Sequence, residues 1–446
     1  MEQLFSTFDT ATDEQWKARI AQDLKGTTFD DLIYTDRNGI RIQPFYTATE
    51  SPLPTSAAFA NPEWDITVSI PVDGNEAEAN KSALEALQGG ATALRFEMPG
   101  TVDLPKLLKG IDLNAIMILF APAGSLQIFL DHLDDYLAAL GMLGDRLNCY
   151  VICDPISNIS NNAEYEATTI SKEWEIFNPC RIGHKAIAVH AAVYHNAGAT
   201  PVYELACTLA HLNEYLHFLQ ENHELNRIEK ILLTVAVDTH FFEQIAKLRA
   251  LRILVSLLSE TYNLDAAIHL QAVTSDLYRA PVDPYSNLLR DTIAGMAGVL
   301  GGCDSLIIHQ FDAAIRMPND FSDRLSRNQQ LIFKEESYLQ KVADVAHGAY
   351  FIETMTRQLA EKAWSSFQAI EQEGGWLQAC KKNIPQNTIQ KQREAEAAQY
   401  KSGAKVLTGI NKYQNAEEIK KQVAFREIPA NFGFPAWNIA RDLLGK

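Results

Sequence analysis

The chain has 446 residues, of which 47% are hydrophobic and 21% charged, a balance typical of a folded globular protein with enough material for a large core. Its 39 basic and 56 acidic side chains give a formal net charge of -17, which opposes binding to nucleic acids and to anionic membrane surfaces. The N-terminus lacks the pattern of a secretory signal, and no apolar run reaches the ~18 residues that span a bilayer. We therefore expect a cytoplasmic protein without membrane or nucleic-acid partners.

The six cysteines are scattered through apolar segments without the spacing of a disulfide framework. Cys149 and Cys153 could point to the same side of a strand, but no second pair stands at the spacing of a zinc site. We expect buried thiols and no metal site.

Short apolar segments alternate with longer amphipathic ones over residues 62–337. Eight of the short segments have strand character, and each is followed by a stretch long enough for a helix. These segments are 64–72, 93–98, 114–121, 148–154, 185–193, 231–237, 266–273 and 305–310. Eight strands in about 250 residues match a (β/α)8 TIM barrel, whereas a doubly wound sheet more often has about five to seven. The predicted fold class is therefore α/β, with the barrel over residues 62–337.

The sequence on either side of the predicted barrel has a different character. Residues 1–61 contain one amphipathic helix and turn-rich sequence too short for its own core, and they predict an N-terminal arm. Residues 338–446 predict a helical extension with helices near 348–373 and 381–400. Its tail, residues 425–437, is rich in aromatic side chains. We expect arm and tail to dock on another chain or, without one, on a second copy.

Motifs in the second half of the chain follow one another in an order and spacing that resemble the methylmalonyl-CoA mutase family. They are Asp283 to Arg290, Leu300 to Leu306, Arg327 to Gln330, His347 to Tyr350 and Ile370 to Gly375. The resemblance covers most of the chain and is strongest after residue 185. It independently implies a (β/α)8 barrel.

Catalytic members of that family join the barrel, which admits an acyl-CoA along its axis, to a cobalamin domain with the motif Asp-x-His-x-x-Gly. The Asp-x-His of this chain, Asp238-Thr239-His240, directly follows the sixth predicted strand, and Glu243 stands where the motif has glycine. We treat Asp238 and His240 as ordinary strand-end residues. The resemblance thus implies no cobalamin-binding domain and no cofactor in this chain, with adenosylcobalamin held by a partner, the large catalytic subunit.

The fifth strand departs from the catalytic pattern. Catalytic relatives carry Gly-Tyr-His followed three residues later by Glu-Ala-Gly, and this Tyr and His contact the substrate. Anchoring on Ala197-Gly198 places Ala192 and Val193 at the Tyr and His positions, while Tyr194-His195 comes two residues later. A two-residue deletion in the loop would restore Tyr194-His195 as the catalytic pair, and this alternative stays open.

The seventh strand also departs from it, because Ala267 stands where catalytic relatives have arginine, although His269 and Gln271 are retained. The resemblance thus implies no catalytic residue and a vestigial substrate channel of His269, Gln271, His195 and Tyr194. In addition, strands five to eight carry large apolar side chains that we expect to fill the barrel axis. These side chains are Ile187, Val189, Leu233, Val235, Val237, Leu270, Ile307 and Ile308.

Two further groups of residues have a functional and a structural interpretation. His190, His269 and His309 could form a relic acyl-CoA contact or a metal triad, but core histidines bonded to backbone carbonyls are the more frequent case. The basic segment 247–252 could bind a CoA phosphate, but such a pattern is more often a solvated helix face.

Two functional hypotheses follow. In the favoured one, the chain is the non-catalytic small subunit of an adenosylcobalamin-dependent methylmalonyl-CoA mutase. The large subunit would interconvert methylmalonyl-CoA and succinyl-CoA, and this chain would stabilise the heterodimer. In the alternative, the chain is the substrate-binding barrel of an acyl-CoA mutase that recruits cobalamin from a separate subunit. The register of Tyr194-His195 separates the two hypotheses.

Overall fold

A computed structural model describes most of the chain, and all structural statements below refer to the described residues. These are 11–47, 62–98, 100–123, 126–142, 147–152, 154–156, 186–419, 425–426 and 434–445. Cys153 lies outside them, so the suggested pairing of Cys149 with Cys153 is not described.

The arm contains one helix and a small antiparallel ribbon. Helix α1, Asp13–Asp23, begins at Thr12, whose side chain accepts a hydrogen bond from the Gln15 amide in a capping box. The ribbon strands are β1, Tyr34–Thr35, and β2, Arg41–Ile42. They are joined through Gly39, which has a φ of 67° that favours glycine. The ribbon loop buries Ile40 against the main core, whereas α1 has no buried residue. The arm is therefore anchored by its ribbon.

Eight strands follow and form one parallel sheet. Their bounds are β3 Asp65–Pro71, β4 Ala93–Met98, β5 Met117–Pro122, β6 Cys149–Val151, β7 Ala186–Val189, β8 Lys230–Val237, β9 Ala267–Thr274 and β10 Ser305–Ile307. The order β6-β5-β4-β3-β10-β9-β8-β7 pairs the first barrel strand, β3, with the last, β10. Every ladder described in this sheet is parallel. The predicted (β/α)8 TIM barrel is confirmed.

Helices surround this sheet, and those whose bounds are described follow each of its strands except β6 along the chain. Their bounds are α2 Glu76–Gln88, α3 Leu104–Leu107, α4 Leu126–Ala139, α5 Ala192–Asn196, α6 Pro201–Glu221, α7 Phe241–Thr261, α8 Tyr285–Leu300 and α9 Asp320–Leu331. After a π-helical turn at Ile332–Glu336, the extension adds α10 Tyr350–Gln372, α11 Trp376–Lys381, α12 Ile384–Ser402, α13 Ala416–Ile419 and α14 Ile439–Leu444. No helix among the described residues is long and apolar enough to cross a membrane.

Helix α10 forms a third layer outside the barrel helices. It packs along α6 and α7, and the buried residues of its inner face recur at helical spacing: Ile352, Met355, Leu359, Ala363, Phe367 and Ile370. Helices α10 and α12 confirm the two helices predicted near 348–373 and 381–400. Helix α7 is enclosed between the barrel and α10.

The enclosure of α7 corrects the expectation that segment 247–252 is a solvated face. Lys247 is buried and donates to Glu204 Oε2 at 2.9 Å, and Arg249 is buried and donates to Glu353 Oε1 at 2.8 Å. Because their charges are balanced inside the protein, Lys247 and Arg249 are not available to a CoA phosphate.

Most of the large apolar side chains that we expected on the barrel axis point away from it, which corrects that part of the prediction. Successive strand residues point to opposite faces, and seven of the eight named side chains face the helices. Those packed in the outer core are Ile187, Val189, Leu233, Val235, Val237, Leu270 and Ile308. Of the eight predicted fillers, Ile307 alone packs on the inner side, with Ala236 and Val273. The inner face also carries the small side chains Ala93, Ala186 and Ala188 and the larger Met117, Leu119 and Leu232, so apolar side chains other than the predicted ones do pack on the axis.

Candidate functional site

A buried arginine crosses the barrel axis. Arg95 lies on β4, and its Nη1 donates to Gln271 Oε1 at 2.8 Å on β9 and to Thr234 Oγ1 at 3.4 Å on β8. Its Nε donates to Glu97 Oε1 at 2.6 Å, so its charge is balanced. Since β4 neighbours neither β8 nor β9, these bonds join opposite sides of the barrel. They form a polar layer where a channel would have to pass.

A second set of bonds lies next to this layer. Ser305 on β10 contacts His269 Nε2 at 2.9 Å and accepts a hydrogen bond from Gln271 Nε2 at 3.4 Å. Burial lowers the pKa of His269 to about 4, so its imidazole is neutral at pH 7. The structure therefore brings the predicted His269 and Gln271 together on the axis. Arg95, which completes the layer, is a member of the candidate site that sequence reasoning missed.

Above the polar layer, at the carboxyl ends of the strands, lies a cavity of about 230 Å³. Its lining includes Arg95, Glu97, His190, His309, Ala192 and Val193. Burial lowers the pKa of both His190 and His309 to about 4, so neither imidazole is charged at neutral pH. An adjoining cavity of about 250 Å³ shares Glu97 and His309. A TIM-barrel active site lies at this end of the barrel.

The C-terminal tail covers this mouth. Phe434 and Ala436 line the cavity itself. The Trp437 amide donates to the Asn196 carbonyl at 2.7 Å, and the Ile439 amide donates to the Leu277 carbonyl at 2.9 Å. These bonds attach the tail to the loops that follow β7 and β9. The described part of the predicted docking tail therefore buries its aromatic side chains, Phe434 and Trp437, against its own barrel.

Tyr194 and His195 lie on α5 beside the barrel mouth, and their side chains are buried in the core outside the barrel axis. The hydroxyl of Tyr194 contacts His211 Nδ1 at 2.8 Å, and His195 Nδ1 contacts Glu204 Oε2 at 3.2 Å. Both side chains are buried, and the two residues that line the cavity in their place are Ala192 and Val193. The structure therefore does not bring Tyr194 and His195 to His269 and Gln271.

Asp238, His240 and Glu243 form a cluster with the spacing of metal ligands at the end of β8. An arm residue, Arg37, already occupies it: its Nη2 lies 2.9 Å from Asp238 Oδ2, and its Nε donates to Glu243 Oε1 at 3.0 Å. Burial by itself would raise the pKa of Asp238, but His240 and Arg37 hold it well below its usual range. The cluster is thus an ion-pair site that fastens the arm to the barrel.

The same residues can be tested against the cobalamin motif. His240 Nδ1 contacts Asp238 Oδ1 at 3.0 Å, as an Asp-His pair supporting a metal-bound imidazole would. However, His240 lines none of the four described cavities, so none of them offers a corrin ring a place at this imidazole. Arg37 and Gln244 already bond the carboxylates of this cluster, so the residues at the end of β8 do not fit a cobalamin.

These features define a (β/α)8 barrel protein whose axis is crossed by a polar layer and whose mouth is covered by its own tail. The sequence profile of the methylmalonyl-CoA mutase family matches residues 99–432. The chain belongs to this family. It is 30% identical to the methylmalonyl-CoA mutase small subunit of Porphyromonas gingivalis, over 94% of this chain and 72% of the relative.

Other relatives show the same relationship. The methylmalonyl-CoA mutase small subunit of Streptomyces virginiae is 29% identical over 85% of this chain and 67% of the relative. The methylmalonyl-CoA mutase of Rhizobium meliloti is 35% identical, but over 50% of this chain and 33% of the relative. The chain thus spans 72% and 67% of the length of these two small subunits.

Proposed function

We propose that this chain is the small, non-catalytic subunit of an adenosylcobalamin-dependent methylmalonyl-CoA mutase, and that the large subunit carries the chemistry. The relatives that match most of the chain are named small subunits, and that name implies a large-subunit partner. The proposal assigns no catalytic residue and no bound cofactor to this chain, and it places adenosylcobalamin in the partner.

The observation that carries the proposal is the closed barrel axis. A pantetheine arm that entered along the axis would have to displace Arg95 from Gln271 and Thr234 and leave buried polar groups without partners. It would also have to displace Phe434 and Ala436 from the mouth. Both costs oppose substrate binding, and neither has to be met if the barrel serves as a structural support.

The arm supplies a surface for the supporting role. Arg37 ties the ribbon loop to Asp238 and Glu243, while Tyr34 and Phe45 remain exposed nearby in the sequence. An anchored segment that presents exposed aromatic side chains is suited to burial against a second chain. In the absence of the large subunit, we propose that a second copy of this chain takes that place.

The alternative function, a substrate barrel that recruits cobalamin, is favoured by a different observation. His269 and Gln271 face the axis, and a cavity remains above them at the usual position of a barrel active site. In that case these side chains would contact substrate.

Turnover by the reconstituted complex distinguishes the two functions. The chain is co-purified with the large subunit, and His269→Ala and His195→Ala are compared with the wild type in methylmalonyl-CoA turnover. We expect a change below about twofold for each, because neither residue would touch the substrate. A loss of about a hundredfold, with the complex intact by size-exclusion chromatography, would establish the alternative. His269→Gln, which keeps a hydrogen-bonding group, controls for damage to the fold.

A further inference from the structure

Helix α8 presents an outer face without charge. Its charged residues, Arg290 and Asp291, are 9% and 0% exposed, so both point into the protein. The outer positions are Tyr285, Leu289 and Ile293, which are 60%, 67% and 43% exposed. A spacing of four residues places them in one stripe along the helix. The outer face of a surface helix normally carries charged and polar side chains, so this stripe is unusual.

The apolar surface continues onto α9. Tyr285 stacks on Phe311 with ring centroids 5.1 Å apart, and Phe311 contacts Phe321 of α9 edge to face at 6.3 Å. Further along, Gln329 Nε2 of α9 donates to Thr292 Oγ1 of α8 at 2.7 Å, which holds the two helices side by side. Phe321 and the following Ile332 are 47% and 44% exposed. We call Tyr285, Leu289, Ile293, Phe321 and Ile332 the α8–α9 face.

On the neighbouring helix α7, the exposed large apolar side chains Phe242 and Leu257 stand near opposite ends of the helix and form no stripe. Helix α10 packs over α6 and α7 and buries most of their outer residues, but its contacts do not extend over the α8–α9 face. Within the described part of the chain, the five side chains of the face therefore remain without cover. Exposed apolar surface of this extent is a feature of protein contact sites.

We propose that the α8–α9 face is the docking surface for the large mutase subunit. This inference rests on the proposed function, which requires such a partner. The 16 residues of α8 span about 24 Å. Two adjacent helices, each about 10 Å wide, present a face about 20 Å across, and its area is therefore roughly 500 Å². A stable interface buries about 800 Å² on each partner, so the face has the size of the apolar core of one interface.

Charge favours the large subunit over a second copy as the occupant. Two copies would bring a formal charge of -17 each to the contact, and this repulsion makes a second copy the weaker occupant when the large subunit is present. Charged groups of both signs border the face, since Asp320 directly precedes Phe321 and Arg324 lies over the Phe321 ring at 5.8 Å. An apolar centre with a mixed polar rim is the usual composition of an interface with a different chain.

The test uses the full chain and the large subunit of the same organism. Leu289→Glu combined with Ile293→Glu places two charges in the face at exposed positions, where the fold can accept them. The matched control is Leu257→Glu, a leucine of α7 that is 46% exposed and lies outside the face. Circular dichroism and the thermal midpoint verify that all variants are folded. Binding to the large subunit is measured by titration calorimetry.

We expect the double variant to bind at least about 100-fold more weakly than the wild type and the Leu257→Glu control within about threefold. If the wild-type chain does not bind the large subunit, the proposed function and this inference both fail. If the wild-type chain binds and the double variant binds equally well, the inference alone fails. If light scattering shows a homodimer that the double variant dissociates while heterodimer affinity is unchanged, the occupant is a second copy and the proposal is overturned.

Discussion

The guanidinium of Arg95 and the side-chain amide of Gln271 meet inside the barrel, with Nη1 2.8 Å from Oε1, although their strands are not neighbours in the sheet. Both side chains are buried, and Glu97 balances the charge of Arg95 at 2.6 Å. Because a buried polar group that loses its partner bears its full desolvation penalty, the members of this layer stabilise one another. The contact thus holds opposite walls of the barrel together.

Arg95→Met should lower the free energy of unfolding by about 1–3 kcal/mol, since it leaves Gln271 and Thr234 with an unmet acceptor in a buried layer. Urea denaturation at pH 7.5 measures this. Arg227→Met, at an arginine whose side chain is 60% exposed, is the control and should leave the midpoint unchanged. In a double-mutant cycle with Gln271→Leu, the combined loss should be smaller than the sum of the single losses. Strict additivity would mean that the two side chains do not interact.

The eight strands could be predicted from the sequence, but the direction of their side chains could not. The segment Ile187-Ala188-Val189 is apolar at every position because helices cover one face and the barrel core the other. Only residue size distinguishes the faces, with Ala188 inward and Ile187 and Val189 outward. A uniformly apolar strand has no period-two signal, so the prediction of an axial position was wrong for seven of the eight side chains, while Ile307 and the unpredicted Leu232 do face the axis.

The polar layer and the covered mouth depend on contacts between distant parts of the chain. Arg95 and Glu97 are two charges in an otherwise apolar strand, which was a signal, but the partner Gln271 is 176 residues away from Arg95. Likewise, the aromatic composition of the tail predicts that Phe434 and Trp437 are buried. It does not predict the surface on which they pack. The structure places them on their own barrel, where Phe434 lies 5.2 Å from the Tyr194 ring.

Acid should destabilise the protein through its buried axial histidine. Burial lowers the pKa of His269 from an ordinary 6.5 to about 4, so the unfolded chain binds this proton more tightly than the folded one. The loss of folding stability that comes from keeping His269 neutral is absent above pH 6.5 and grows as the pH falls toward 4. His269→Gln should therefore lose less stability than the wild type between pH 7 and pH 4.5 in urea titrations. The control His217→Gln, at a side chain that is 58% exposed, should follow the wild type. Identical pH slopes for His269→Gln and the wild type would contradict the buried, neutral state.

Glu371, a carboxyl group between α10 and α6, should make the protein less stable as the pH rises. Burial, together with the nearby Glu214, raises the pKa of Glu371 from 4.5 to about 7. The folded state therefore holds this proton more tightly than the unfolded state, and stability declines as the pH rises from 4.5 through 7. Glu371→Gln, which carries no charge, should be more stable than the wild type at pH 8 and similar to it at pH 4.5. Glu361→Gln, at an exposed position on the same helix, is the control. Equal thermal midpoints of Glu371→Gln and the wild type at pH 8 would show that Glu371 titrates normally.

The tail should stay docked on the barrel mouth in the isolated chain. The Trp437 indole is buried and its Nε1 donates to Asp442 Oδ2 at 2.7 Å, while its backbone amide donates to the Asn196 carbonyl. Trp437→Ala should therefore cost about 3–5 kcal/mol and release the tail, whereas Tyr413→Ala, at a side chain that is 72% exposed, should have little effect. Hydrogen exchange reports docking directly, because the amides of Trp437 and Ile439 should be protected in the wild type and exchange rapidly in Trp437→Ala. Rapid exchange of both amides in the wild type would mean that the mouth is open, and the argument from the covered mouth against substrate access would then be withdrawn.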